Sequence, residues 1–366
     1  MADLRFNGKL AIQQRVLTPY RAAFFDALAA ACESGLSVFA GTPRPSEAIT
    51  SGTLKTAGFI PAHNLHLLRG SFYLCWQDGL SAWLDGWNPD ALIVEANPRY
   101  LAIPAAVRWM KSRGRPVLGW GLGAPLLTGP LAVMRRARRL SFLRQFDALL
   151  TYSRHGADEY AALGFSAGQI FMAPNAAAAR PSWPMPSRSP EFDGRPSILF
   201  VGRLQARKRV DLLLQACASL PQGLQPRLVI VGDGPERASL ENLAKTVYPS
   251  AEFPGAKHGA DLAPYFSSAD LFVLPGTGGL AVQEAMAYGL PVIMGTGDGT
   301  NDDLVRQGNG WHLSEPGSLP GVLREALTDV SRLRVMGVES FRIVSEEINL
   351  EKMVEIFITA VNQQVA

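Results

Sequence analysis

Short β-rich apolar runs alternate with longer helical stretches along nearly the whole chain, and one proline-rich segment breaks that alternation in the middle. Repeated strand–helix alternation is the pattern of parallel sheets covered by helices on both faces. In the first half, LAIQQRV (10–16), LSVFAG (36–41), ALIVEA (91–96), RPVLGW (115–120), DALLTYS (147–153) and QIFMAPN (169–175) read as strands. Helices are expected at 21–35, 104–113, 131–144 and 155–163, the last ending at Gly164. Residues 176–196 then carry prolines at 181, 184, 186, 190 and 196 without apolar periodicity, which reads as an interdomain linker. Beyond it the alternation restarts with SILFVG (197–202), RLVIVGDG (227–234), a strand near 252–255, DLFVLPG (270–276) and PVIMG (291–295). The expected organisation is an α/β chain with a Rossmann-like domain over 1–178, a linker over 179–195 and a second Rossmann-like domain over 196–340. Residues 341–366 form a C-terminal helical segment expected to pack back on the first domain. Two such sheets create ligand sites at their strand C-termini.

Composition excludes several classes. Net charge is only +3, so the chain as a whole does not have the character of a nucleic-acid binder. The three cysteines, Cys32, Cys75 and Cys217, are scattered without metal-ligand spacing, which argues against a disulfide framework or a zinc site and for a reducing compartment. The first fifteen residues hold no apolar signal core and no run reaches the ~20 apolar residues of a membrane span, so a cytoplasmic location is expected. Charge is uneven, however. Residues 131–146 hold five arginines among Leu131, Met134 and Phe142, a basic amphipathic pattern. The commoner reading is an arginine face over a packed stripe; the alternative is weak peripheral contact with the inner face of a membrane.

The most informative block is SILFVGRLQARKRVDLLLQA (197–216). An apolar strand ends at Gly202, Arg203 follows, and Lys208 comes just before an amphipathic helix. Two cations beside a helix N-terminus suit a diphosphate. The GDG turn at 232–234 is a weaker signal, equally an ordinary βα turn. In DLFVLPGTGGLAVQEAMAYGLPVIMG (270–295), a loop with Thr277, Gly278 and Gly279 opens a helix near Leu280, and Glu284 stands one turn inside on an otherwise apolar segment. A buried glutamate there needs a partner, which ribose hydroxyls would supply.

The order FVGRLxxxK, VIVGDGP and strand–proline–Gly-rich loop–EAMAxGxPVI resembles the retaining family-four (group 1) glycosyltransferases of the GT-B fold, over about 195–312. The resemblance implies transfer of a sugar, with retention and without metal, from a nucleotide-diphosphate donor, UDP-sugar favoured over GDP-sugar. No other cofactor is expected, and the acceptor is a glycan, a lipid-linked sugar or a small molecule. It implies that Gly202, Arg203, Lys208 and Gly232 serve the donor diphosphate and Gly278, Gly279 and Leu280 the sugar and phosphates. Glu284 would hold the ribose, and Phe253 and Lys257 would lie near the base. The family pattern carries a glutamate eight positions before Glu284, where this chain has Gly276; Thr277 or backbone amides would substitute. A histidine usual in the first domain is also missing from RPVLGWGLGAP (115–125). His63 and His66 read as loop residues. In VLTPYRAAFF and VEANPRY, Tyr20, Arg21, Asn97 and Arg99 are acceptor candidates, and Glu95 is the acid/base or electrostatic candidate beside Arg203 and Lys208. Against each stands a local role: Arg21 pairing with Asp26, or Asn97 making a turn. The competing functions are a non-catalytic nucleotide-sugar-binding subunit and a GT-B epimerase or hydrolase.

Overall fold

The computed structural model describes residues 4–44, 47, 51–295 and 302–365, in two compact units: 1–177 with 350–366, and 178–349. In the first unit the strands are β1 (Leu10–Val16), β2 (Leu36–Gly41), β3 (Gly58–Leu67), β4 (Leu74–Asp78), β5 (Ala91–Glu95), β6 (Val117–Gly121), β7 (Ala148–Thr151) and β8 (Ile170–Met172). They form one sheet in the order β4-β3-β2-β1-β5-β6-β7-β8. Every pairing is parallel except that of β3 with β4. Helices α1 (Pro19–Ala30), α2 (Leu80–Trp87), α3 (Ile103–Lys111), α4 (Ala132–Leu143) and α5 (Arg154–Ala162) connect them. Side chains alternate across the sheet as strand geometry requires. Ile12, Val38, Ile93 and Leu118 enter one core with Phe24 and Phe25, while Ala11, Phe39, Leu92 and Val94 enter a second with Trp83 and Phe142.

The second unit holds β9 (Ser197–Val201), β10 (Arg227–Val231), β11 (Glu252–Gly255), β12 (Leu271–Leu274), β13 (Val292–Met294) and β14 (Gly310–His312). They are wholly parallel in the order β11-β10-β9-β12-β13-β14. Its helices are α6 (Val210–Ser219), α7 (Arg237–Val247), α8 (Ala263–Ser268), α9 (Leu280–Ala287), α10 (Leu319–Thr328) and α11 (Val330–Glu346). Counted within the unit, this is the doubly wound order 3-2-1-4-5-6. Strand order reverses between β9 and β12 here, and between β1 and β5 in the first unit. Ligands of open α/β sheets bind beyond the strand C-termini at such reversals. The residues that follow β9, β12, β1 and β5 are therefore the ones placed to meet a ligand.

Both expected boundaries move. The proline-rich stretch is laid on the second unit instead of spanning free: Trp183 Nε1 donates to the Ala287 carbonyl at 3.2 Å, and Arg188 donates to the carbonyls of Phe266, Ala269 and Tyr288. Prolines remove ladder donors, so side chains do the attaching. Near the C-terminus the change of unit comes at 350, not 341. α11 buries Ile343 and Val344 in the second unit's core, and only α12 (Leu350–Val365) sends Met353, Phe357 and Val361 into the first. Phe357 meets Phe24 and Trp120 with ring centroids 4.8 and 4.9 Å away.

Four elements escaped the sequence: β3, β4, α2 and β14. β3 lies near the sheet edge with mostly exposed side chains and a proline at 61, so its pattern is too polar to register as a strand. His63 and His66 consequently lie on β3, not in a loop, and His66 Nδ1 is 2.9 Å from the Tyr73 hydroxyl. Because Phe357 is wholly buried, Phe357→Ala removes an aromatic keystone from the first unit alone. We expect a loss of about 3–5 kcal/mol in that unit's unfolding transition, followed by tryptophan fluorescence in urea, with the second unit's transition unmoved.

Candidate functional site

In the second unit, β9 ends beside Gly202 and the chain runs through Arg203 to a single 3₁₀ turn, Ala206–Lys208, before α6. Neighbouring loops clasp this segment on two sides. From β10, the Gly202 N–H reaches the Val231 carbonyl at 3.0 Å and the Leu204 N–H reaches the Asp233 carbonyl at 2.8 Å. A Cβ on Gly232 would lie 1.9 Å from the Gly202 oxygen, so only glycine permits that approach. From β12, the Thr277 N–H reaches the Arg207 carbonyl at 3.0 Å, and a Cβ on Gly276 would lie 2.1 Å from the same oxygen. The position where the family pattern carries glutamate is thus filled by backbone, and no side chain fits there in this arrangement. Gly278, at φ +100°, leaves its open face to the Lys208 ammonium.

Arg203 is exposed and Lys208 half-buried. Burial first, and the neighbouring Arg207 second, bring the Lys208 ammonium down to about 8. A cation held against its own desolvation beside a second cation is poised to accept an anion. α9 starts from Gly279, and its exposed positions Leu280 and Glu284 fall one turn apart on one face. Glu284 is therefore not the buried glutamate expected. It stands outward between buried Gln283 and Ala285, and partial burial raises its carboxyl. Phe253 packs half-buried on β11, and Lys257 lies beyond that strand's end. Asp233 does not cap a helix: its Oδ1 takes the Gly234 N–H at 2.7 Å, and α7 starts only at Arg237.

The first unit gathers a second cluster at its reversal. Glu95 ends β5; its carboxylate accepts the Arg15 N–H at 3.0 Å and its own N–H donates to Gln13 Oε1 at 3.1 Å. Gln13 belongs to a buried amide chain. It donates to Gln77, Gln77 donates to Asn64 Oδ1 at 2.9 Å, and Asn64 donates to the carbonyls of Arg15 and Thr42. This chain fixes the ends of β1 and β5 from beneath. Burial raises the Glu95 carboxyl to about 7, against the Arg15 N–H, the Arg15 and Arg21 charges and the Tyr100 hydroxyl, all of which pull it down.

Arg21 is 4% exposed, with Trp120 and Tyr152 rings 4.8 and 4.9 Å from its guanidinium carbon and Met353 Sδ as its hydrogen-bond contact. It does not pair with Asp26, which instead accepts the N–H groups of Lys55, Thr56 and Ala57. Tyr20 is partly exposed beside it, its ring 5.1 Å from the same carbon. Asn97 is spent on a local turn, taking the Arg99 N–H at 3.1 Å, while the Arg99 side chain is exposed. The sequence reading missed Arg15, Arg44 and Glu47. Glu47 bonds Arg15 at 3.0 Å and Arg44 at 2.9 Å, which outweighs its burial and brings its carboxyl down to about 2. The available signal was the pair Gln13-Gln14 and Arg15 interrupting an apolar strand. Among the described residues, no group of three or more His, Cys, Asp or Glu side chains is arranged to hold a metal.

Residues 182–337 match the family described as glycosyl transferases group 1. That segment is a group 1 glycosyltransferase domain. A GDP-mannose-dependent alpha-mannosyltransferase of Mycobacterium tuberculosis is 45% identical over 113 residues, 30% of this chain and 28% of the relative. The sulfoquinovosyl transferase SQD2 of Arabidopsis thaliana is 34% identical over 151 residues, 39% of this chain and 29% of the relative. The matches thus span under a third of these relatives. Among solved structures, Anabaena HepE in complex with UDP superposes with a TM-score of 0.69 at 15% identity, over 97% of this chain and 99% of that one. Sucrose-phosphate synthase of Thermosynechococcus elongatus gives 0.67 at 18% identity, over 97% and 98%. The chain therefore has the GT-B fold, two Rossmann-like domains.

The Glu95 environment sets a pH signature for stability. Its folded value lies above the ordinary 4.5, so the folded state retains a proton that the unfolded chain surrenders. That contribution is full below about 4.5 and is lost as pH rises through about 7. Glu95→Gln should raise the unfolding midpoint at pH 8 and match wild type at pH 4, since each tenfold change in proton affinity on folding is worth about 1.4 kcal/mol. Equal midpoints at both pH values would contradict the buried-acid assignment.

Proposed function

We propose that this chain transfers a sugar from a nucleotide-diphosphate donor to an acceptor hydroxyl. One observation carries the reading: in a group 1 glycosyltransferase domain, Arg203 and Lys208 flank a backbone-lined glycine loop at the point where strand order reverses. In the proposed assignment Gly202, Arg203, Lys208 and Gly232 border the diphosphate, and Gly278, Gly279 and Leu280 the phosphates and sugar. Thr277 replaces the usual carboxylate, Glu284 takes the ribose, and Phe253 and Lys257 approach the base. GDP-mannose and UDP-sugars are the donors to try first, since the mannosyltransferase relative is named for the one and HepE was solved with UDP.

The chemistry needs charge stabilisation above all. As the bond from the anomeric carbon to the β-phosphate oxygen breaks, negative charge grows on that phosphate, facing Arg203, Lys208 and the loop amides. The acceptor oxygen bonds to the same carbon and its proton passes to the departing diphosphate, with the sugar's configuration retained. Acceptor binding is assigned to the first unit through Tyr20 and Arg99, with the buried Arg21 bracing the Tyr20 ring and Glu95 as electrostatic helper. Asn97, already committed to its turn, contributes shape. Gly276 favours one second reading, a nucleotide-sugar-binding subunit without transfer activity.

A thermal-shift panel of UDP-, GDP-, ADP- and dTDP-sugars identifies the donor, and release of nucleoside diphosphate with an acceptor extract measures transfer. Arg203→Ala and Lys208→Ala should each lower turnover at least about a thousandfold with unchanged circular dichroism. Normal turnover in either would sink the assignment. Donor binding without release supports the binding subunit, and release without acceptor supports a hydrolase.

Lys208 adds a pH dependence to donor binding. With its free value at about 8, the ammonium is lost above that pH unless an anion holds the proton. Nucleoside diphosphate affinity should fall above pH 8 by up to about tenfold per pH unit, one proton being taken up on binding. In Lys208→Met the affinity should be low and flat across roughly pH 7–9.5 by isothermal titration.

A further inference from the structure

The segment from Leu122 through α4 has no role in either cluster, yet it is the most unusual surface of the first unit. Val133 through Arg138 are exposed, and the buried side chains of α4, Phe142 and Leu143, lie at its far end. Leu126 is 78% exposed, Leu131 66%, Val133 86% and Met134 60%. Leu131 also holds a positive φ of 62°, a conformation that an aliphatic side chain disfavours. On a helix of 3.6 residues per turn, Val133, Met134, Ala137 and Ser141 share the face opposite Phe142 and Leu143. Arg136 and Arg138 flank that stripe.

The charge is as one-sided as the exposure. From Gly121 to Phe146 there are five arginines, 135, 136, 138, 139 and 144, and no acidic residue. The chain's net charge is only +3, so this segment supplies more than the whole excess. Arg139 is partly withdrawn and donates to the Pro125 carbonyl at 2.6 Å, tying the apolar loop to the helix so that both present one surface.

We propose that Leu122–Arg138 docks the protein on an anionic lipid bilayer, with Leu126, Leu131, Val133 and Met134 entering the acyl boundary and the flanking Arg136 and Arg138 meeting lipid phosphates. A second copy of the chain fits this surface less well, because an isologous pairing brings the arginines of one copy against those of the other. Nucleic acid answers the charge but leaves the exposed aliphatic side chains in water. Among the described residues no helix is long and apolar enough to cross a membrane, so the contact is with the surface. The β3–β4 edge also exposes apolar residues, Phe59, Ile60 and Phe72 among them, but without a comparable run of one charge sign.

The test is co-sedimentation of the full chain with vesicles of phosphatidylcholine, alone or with roughly 30% phosphatidylglycerol. The protein should pellet with the anionic vesicles only, and less as salt rises from about 0.1 to about 0.5 M. Arg136→Gln/Arg138→Gln should weaken binding about twenty-five-fold, at about fivefold per arginine. Val133→Ser/Met134→Ser should weaken it about tenfold while keeping the salt dependence. All these residues are exposed, so folding is checked by an unchanged melting temperature. Three results would each overturn the proposal: no pelleting with anionic vesicles, pelleting that both variants retain, or loss in Val133→Ser/Met134→Ser of a concentration-dependent dimer in place of vesicle binding. Binding to duplex DNA that survives Val133→Ser/Met134→Ser, with no vesicle binding, assigns the surface to nucleic acid instead.

Discussion

Backbone lying directly on backbone is what the candidate nucleotide site depends on. The segment after β9 is gripped by the loop after β10 and by the loop after β12, at approaches that a single Cβ would forbid. Hydrogen bonds between main chains do not vary with side-chain rotamer, so Arg203 and Lys208 spring from a base with little freedom to drift. The cost falls at Gly276, where the close approach excludes the carboxylate of the family pattern. What is gained in fixing the cations is lost as a side chain at that position.

The first unit solves the equivalent problem with side chains. Gln13, Gln77 and Asn64 are buried where apolar residues would ordinarily fill a strand core, and each finds partners within one chain of amides. A satisfied network of this kind rigidifies its surroundings, whereas one missing member would leave several orphaned donors. It sets Glu95 and Arg15 at the reversal point, and Arg21 is braced separately by aromatic faces. The two units thus arrive at ordered sheet edges by different physics.

The second unit was legible because its chemistry is local in sequence. Strand, glycine, cation and helix follow one another within a dozen residues around Arg203 and Lys208, so adjacency in the chain is adjacency in space. Its strands were found because buried parallel strands are nearly continuous apolar runs. Glu284 was misread as buried because an apolar neighbourhood in sequence hides one outward position per helical turn. In the first unit the Arg15–Glu47 pair and the Gln13–Gln77 amide bond join residues tens of positions apart, across strands whose order the sequence does not print. β3 and β4 failed for a related reason: the last two strands at this end of the sheet bury few side chains and so carry little apolar signal.

The return of α12 has a consequence for how the molecule comes into being. The chain leaves the first unit at 177, builds the second, and comes back at 350 with Met353, Phe357 and Val361 for the core that Phe24 and Trp120 began. During synthesis the earlier-made unit must wait with an apolar groove open while the later one completes itself. The unit made last is finished first, and a chain interrupted before 350 would leave the ribosome with its second half sound and its first half exposed to wrong partners.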